Sequence, residues 1–213
     1  MRKTLVFVAL GDSLTVGFQT PTVDEPWPMV VPYTHFLEHM IGDMLRRSGT
    51  TSLNVQIHNR GINGDLTSGM LFRFRRDVVD LRPDYVIILG GSNDIGWGLS
   101  PKVIFNNLMG MYTTARANDV EPIACTIPSI LGFDLYIKPR LELNSLIQKH
   151  CLERGINCVD LFNSTSDPQT KRLLEEYSND GLHLNTRGYE TMAETVFYEA
   201  VEEIIASSVR ESR

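Results

Sequence analysis

Four short polar segments of this chain hold the residue types that acyl transfer requires. The first is Gly11-Asp12-Ser13-Leu14. Ser13 falls where a hydrophobic run ends and a helix should start. A helix amino terminus offers unpaired N–H groups and a positive field, so a serine there can act as a nucleophile beside a developing anion. The same spelling would also suit a helix cap by Asp12 or Ser13. The second segment runs from Asn59 through Gly61 and Gly64 to Asp65, the third is Gly90-Gly91-Ser92-Asn93-Asp94, and the fourth ends in Asp180-Gly181-Leu182-His183. An acyl-transfer site needs a nucleophile, a base, a group that orients the base, and donors for the oxyanion. His183 can take the proton of Ser13, and Asp180 can hold the other ring nitrogen and fix the tautomer. The Ser13 and Gly64 backbone N–H groups and the Asn93 side-chain amide can face the oxyanion. Structural alternatives exist for two of these: a positive φ at Gly64 and a turn held by Asn93.

The elements that must position these residues follow from hydrophobic periodicity. Residues 4–10 are a short, continuous, β-rich run and read as a buried parallel strand, with Gly11 permitting a sharp turn after it. Residues 53–58, 85–89, 122–127 and 157–161 read as further strands. Helices are expected over 32–47, from Asp65 (as cap) to about 80, over 101–117, 136–154 and 187–207, with apolar stripes in the first, second and last of these. Strands and helices alternate, which predicts a three-layer α/β/α sandwich on a five-stranded parallel sheet, in the flavodoxin-like order 2-1-3-4-5. Ser13, Gly64 and Asn93 then all follow carboxyl ends of parallel strands and share one edge, where such sheets bind ligands. No repeat or linker divides residues 1–213, so one domain is expected.

These four blocks, in this order, resemble the GDSL esterases and lipases, the SGNH hydrolases. The Gly-Asp-Ser-Leu block stands at 11–14, the glycine block at 59–64, Gly-x-Asn-Asp at 91–94 and Asp-x-x-His at 180–183. The resemblance implies the same α/β/α fold and a serine esterase of short- to medium-chain acyl esters. It implies a Ser13–His183–Asp180 triad and an oxyanion hole of Ser13, Gly64 and Asn93. Thioesterase or lysophospholipase activity and carbohydrate O-deacetylation are the alternatives on the same site. A non-catalytic binding module on this fold is a further class, disfavoured because all five residues are intact. Leu66 and Asn185 depart from residues common in the family, and neither removes a catalytic group. The G-x-S-x-G elbow of α/β-hydrolases is missing.

The segment from residue 19 to 31 holds Pro21, Pro26, Trp27 and Pro28 and is too proline-rich for a helix. It follows directly from Ser13, and its Trp27, with Trp97 from the loop after Asn93, is expected to wall the acyl pocket. His35-Phe36-Leu37-Glu38-His39 spells the H-x-x-E-H zinc pattern, but both histidines lie off the apolar stripe of their helix and no third ligand accompanies them. A solvated face, no metal and no cofactor are expected. The bulk numbers describe an ordinary soluble globule: 213 residues, 42% hydrophobic, 22% charged, net charge -6, and no basic run suited to nucleic acid; the resemblance implies a small-molecule acyl ester as its partner. No stretch is long enough to span a bilayer. Met1-Arg2-Lys3 and the apolar run superficially resemble a secretion leader, but the run is short and leads straight into Ser13 without a cleavage site, so a cytoplasmic location is expected. Three unpatterned cysteines argue against a disulfide framework.

Overall fold

The continuous apolar run after Lys3 becomes an interior strand of the sheet, covered on both faces and paired on both edges. Phe7, Val8, Ala9 and Leu10 are wholly buried. In this computed structural model, which describes residues 3–211, that strand is β1 (Lys3–Gly11). Met1 and Arg2, the start of the basic prefix considered above, lie outside the described residues. β2 (Leu53–Gly61) pairs along one side of β1, and β3 (Tyr85–Leu89), β4 (Glu121–Cys125) and β5 (Asn157–Val159) extend the other. All pairs are parallel and the order is β2-β1-β3-β4-β5, as the alternation of elements predicts.

The helices follow in chain order: α1 (Ser13–Val16), α2 (Tyr33–Arg47), α3 (Thr67–Asp77), α4 (Ser92–Gly96), α5 (Pro101–Arg116), α6 (Ile137–Arg154), α7 (Leu161–Thr165), α8 (Thr186–Val196) and α9 (Glu202–Glu211). α2 packs on α8, while α3 and α6 each pack on α5, which gives the two helical layers of the sandwich. Tyr33, Leu37 and Ile41 of α2 enter the core, and His35 and His39 face solvent, as the stripe predicts. Cys125 is buried in β4, a small core residue. No helix among the described residues is long and apolar enough to cross a membrane.

Several local expectations change, among them the fifth strand, which stops at Val159 because Asp160 caps α7. β2 runs on through Asn59, Arg60 and Gly61, because these residues pair with Ala9, Leu10 and Gly11 instead of forming the loop expected there. The loop after β3 contains a short helix, α4. The last helix is interrupted by a π turn at Phe197–Val201, which hydrophobic periodicity does not reveal. The proline-rich segment forms a two-stranded antiparallel ribbon, Phe18–Gln19 against Met29–Val30.

Gly11 has a different role from the turn expected of it. It is still paired in β1, opposite Gly61 and Leu89. A Cβ at Gly11 would lie 2.1 Å from Thr15 Oγ1 and 2.6 Å from the Leu89 carbonyl, and one at Gly61 would lie 2.4 Å from the Val16 amide nitrogen. Both glycines are required because α1 folds back tightly over the strand ends. Overpacking in a close-packed interior costs roughly 1–3 kcal/mol or more. Gly11→Ala is therefore expected to lower the melting temperature by roughly 2–12 °C, at about 2–4 °C per kcal/mol for a chain of this size. An unchanged melting temperature would show that the packing over Gly11 is loose.

Candidate active site

The register aligns three strand ends in a row, Gly61, Gly11 and Leu89. Ser13 lies two residues beyond the first strand's end, Gly64 three beyond the second's and Asn93 four beyond the third's. β1 is where the strand order reverses, so this row sits at the topological switch point of the sheet.

α1 is only four residues long, and Asp12 caps it, with Oδ1 accepting from the Leu14 amide at 3.0 Å. Among the described residues the Ser13 hydroxyl makes no hydrogen bond, so capping falls to Asp12 and Ser13 is left available for chemistry. Ser13 is 7% exposed. Its amide and that of Gly64 donate to no other group among the described residues.

The histidine segment is drawn to this edge by the residues directly after α1. Gln19 Nε2 donates to Thr186 Oγ1 at 3.0 Å, and the Tyr189 hydroxyl donates to the Phe18 carbonyl at 2.8 Å. The Phe18 ring meets the His183 ring edge-on, with centroids 4.8 Å apart. His183 Nδ1 lies 2.7 Å from Asp180 Oδ2, whose other hydrogen bond comes from the Thr20 hydroxyl. Asp180 Oδ1 accepts from the Leu182 and His183 amides at 2.8 and 2.7 Å. Partial burial pushes the Asp180 carboxyl up, but the hydrogen bonds from His183, Thr20 and these two amides outweigh it and hold the group well below the usual carboxylate range. Asp180 therefore stays ionised and fixes the ring with its Nδ1 hydrogen toward the carboxylate, leaving Nε2 as the proton acceptor. No hydrogen bond joins Ser13 to His183 in this structure; such contacts commonly close only around substrate.

Gly64 sits in a turn closed by the Asp65 amide on the Ile62 carbonyl at 3.2 Å, with φ at 74°. A Cβ there would meet nothing within 4 Å, so the positive φ and not crowding selects glycine. Asn93 Nδ2 donates to the Asp65 carbonyl at 3.0 Å and approaches Asp12 Oδ2 at 3.4 Å. The first bond orients the amide toward the shared edge. The second is long and weak enough to yield to a better acceptor.

Asp65 does not cap α3 as expected. It pairs with Arg73 at 2.8 Å, and the cap position passes to Leu66, which has no side-chain bond to offer. Arg73 also donates to the Gly11 and Arg60 carbonyls, each at 2.9 Å, and to Asp77 at 2.8 Å. Buried Asp94 accepts from the Thr67 amide at 3.0 Å and from its hydroxyl at 2.6 Å. Arg73, Thr67, Asp94 and Thr20 support the site, yet none was singled out from the sequence. Arg73 had a legible signal: it shares the buried face of α3 with Met70 and Phe74, where an arginine needs partners.

The two tryptophans part company. Trp97 and Asn93 border a cavity of about 270 Å³, closed also by Ile130, Phe133, Tyr136 and Arg140. Trp27 does not border it, and this alone separates the two, since both are largely exposed, Trp27 at 77% and Trp97 at 78%. The ribbon is the reason: pairing of Phe18 with Val30, and of the Val31 amide with the Gly17 carbonyl at 2.9 Å, brings the two ends of the segment together and leaves its tip in solvent. Among the described residues no group of three or more His, Cys, Asp or Glu side chains is placed to hold a metal ion.

The sequence profile of the GDSL-like lipase/acylhydrolase family matches residues 9–191. An arylesterase of Vibrio mimicus is 30% identical over 150 residues, which cover 66% of this chain and 67% of the relative. The crystal structure of a lipase/acylhydrolase from Enterococcus faecalis superposes with a TM-score of 0.71 at 26% identity, covering 97% of each chain. A variant of an acetyl-xylooligosaccharide esterase from Geobacillus Stearmophilus superposes with a TM-score of 0.72 over 92% of this chain and 93% of that one; at 16% identity this speaks for the fold alone.

Asp12 gives this site a pH signature in stability. Burial pushes its carboxyl from 3.8 up to about 6, against the Leu14 amide and the His183 charge, which pull it down. The native state then holds this proton to higher pH than the unfolded chain, so the contribution of Asp12 to stability falls as pH rises from about 4 to about 6. Asp12→Asn keeps an acceptor for the Leu14 amide and removes the buried charge. It should raise the melting temperature at pH 8, by on the order of 2–3 kcal/mol of stability, and change little near pH 4. Equal effects at both pH values would contradict the buried-charge account.

Proposed function

The chain belongs to the GDSL-like lipase/acylhydrolase family of carboxylic ester hydrolases, and from that premise we propose that Ser13, His183 and Asp180 carry the acyl transfer. Ser13 Oγ attacks the ester carbonyl while His183 Nε2 takes its proton. The charge that moves onto the carbonyl oxygen is met by the Ser13 and Gly64 amides and by Asn93 Nδ2. The tetrahedral intermediate collapses, His183 returns the proton to the departing alkoxide, and the alcohol leaves an acyl group on Ser13. Water, deprotonated by the same histidine, then attacks that acyl group and releases the acid. The observation that carries this reading is the 2.7 Å contact of His183 Nδ1 with an Asp180 carboxylate held ionised by its other hydrogen bonds.

We place the acyl group in the cavity beside Asn93, because a chain leaving the carbonyl carbon at the oxyanion donors opens into it. At about 270 Å³ the cavity suits short to medium chains.

Hydrolysis of p-nitrophenyl acetate tests the triad. Ser13→Ala should lose on the order of 10³-fold or more in kcat with its melting temperature kept, and a folded but active variant would remove Ser13 as nucleophile. Asn93→Ala should lose roughly 10²–10³-fold in kcat, with KM changed less, since its donor matters once charge has reached the oxygen. An unchanged kcat would make Asn93 a turn residue.

Acyl preference separates the tryptophans. Each methylene in such a pocket is worth roughly 1–3 kcal/mol of selectivity. Trp97→Ala should therefore alter the ratio of kcat/KM across p-nitrophenyl esters from acetate to decanoate, while Trp27→Ala leaves it as in the parent. A changed profile in Trp27→Ala alone would place the acyl pocket under the ribbon instead.

A further inference from the structure

Arg140, on the first turn of α6, is the largest fully buried side chain among the described residues, at 1% exposure, and it forms part of the wall of the cavity beside Asn93. Its guanidinium has five donors. One of them, on Nη1, reaches the Tyr136 carbonyl at a long 3.4 Å, and buried Nε has no partner. Among the described residues no carboxylate lies within ion-pair distance of it. Asp12 acts on it only from farther away, and the Asp12 oxygens are already approached by the Leu14 amide and Asn93. Burial pulls the Arg140 guanidinium down to about 10, so it keeps its charge at neutral pH. A buried, unpaired charge is costly, and buried guanidinium groups normally find a carboxylate. Here the rest of the wall that closes on it is largely apolar: Ile130, Phe133, Trp97 and Leu182, the neighbour of His183. The amino end of α6, which has no side-chain cap, reaches the same cavity through Tyr136 and adds a positive field.

We propose that the ester this enzyme takes has a carboxylate on its acyl group, and that Arg140 is the specificity residue that receives it at the inner end of the cavity. The methylenes of the acyl chain lie along the apolar wall, and the terminal carboxylate supplies the planar, two-oxygen partner that a guanidinium fork matches. The preferred substrates are thus half-esters of dicarboxylic acids. This rests on the ester-hydrolase reading above.

The test compares mono-p-nitrophenyl adipate with p-nitrophenyl heptanoate, a neutral ester of similar length. The parent enzyme should favour the adipate by roughly 10–100-fold in kcat/KM, mainly through KM, as a charge-assisted hydrogen-bonded pair implies. Arg140→Met should abolish that preference, bringing the adipate-to-heptanoate ratio of kcat/KM to about one or below, and its melting temperature should hold or rise, because a buried charge has been replaced by apolar volume. Arg140→Lys should keep part of the preference. If the parent enzyme favours the heptanoate, or if Arg140→Met still favours the adipate, the proposal is overturned. Should Arg140→Met fail to fold, the parent's own preference and the Arg140→Lys value decide. Ser13→Ala is the control. Hydrolysis that survives it refutes the site itself, whereas Ser13-dependent hydrolysis without a charge preference refutes only the role of Arg140.

Discussion

The buried guanidinium of Arg73 holds the catalytic edge together. Its donors reach the Gly11 carbonyl at the end of β1, the Arg60 carbonyl near the end of β2, and the carboxylates of Asp65 and Asp77. Asp65 follows Gly64 directly, and its own carbonyl receives the Asn93 amide. One side chain therefore connects the strand that delivers Ser13, the turn that presents Gly64 and, through Asp65, the loop that carries Asn93. Removing it would take the charged partner from the Asp65 carboxylate and leave buried Asp77 with Arg76 alone, and breaking partly buried pairs of this kind is strongly destabilising. Asp94 repeats the device one strand along by accepting both the amide and the hydroxyl of Thr67. The donors proposed for the oxyanion are thus held in place by the fold itself, which is what electrostatic preorganisation requires.

The base is held by a different route. His183 lies 170 residues from Ser13 in sequence, in the irregular segment before α8, and no strand carries it. The short ribbon after α1 does the work instead. Phe18 packs on the histidine ring, Gln19 binds Thr186, and Thr20 donates to Asp180. Ser13 and the ribbon are separated by only the rest of α1 and Gly17. The segment after the proposed nucleophile thus positions the proposed base, while the ribbon also turns its exposed tip, with Trp27, away from the cavity beside Asn93.

Much of this was legible in the sequence. The parallel sheet and its order follow from continuous apolar runs alternating with amphipathic ones, and Ser13, Gly64, Asn93 and His183 stand in short blocks whose residue types have few other joint uses. Less visible were features decided by tertiary contact. Gly11 looks like a turn residue, but its need for glycine comes from Thr15 and Leu89 pressing on it, a crowding that no local pattern encodes. Asp65 has the spelling of a helix cap, but a buried arginine eight residues on competes for its carboxylate and wins. Trp27 is apolar enough to suggest a pocket wall, and only the pairing of Phe18 with Val30 shows which way its loop leads. Arg140 sits in an α6 whose apolar face is poorly marked in sequence, so its complete burial emerges only from the packing of that helix against the loop that follows β4.

The central claim is that the serine after β1 is the acyl carrier, and a second serine makes the claim sharp. Ser92 also stands at the start of a helix at a strand's end, next to Asn93, and it is equally buried at 7% exposure. Sequence placement alone does not separate them; what favours Ser13 is that the segment directly after its helix packs Phe18 on the His183 ring and bonds Thr20 to Asp180. Incubation with a serine-directed fluorophosphonate, followed by intact-mass measurement and peptide mapping, distinguishes the two directly. The account predicts a single adduct per chain, on Ser13, formed in step with loss of esterase activity and greatly slowed in His183→Ala. An adduct on Ser92, or full inactivation with Ser13 unmodified, would contradict it.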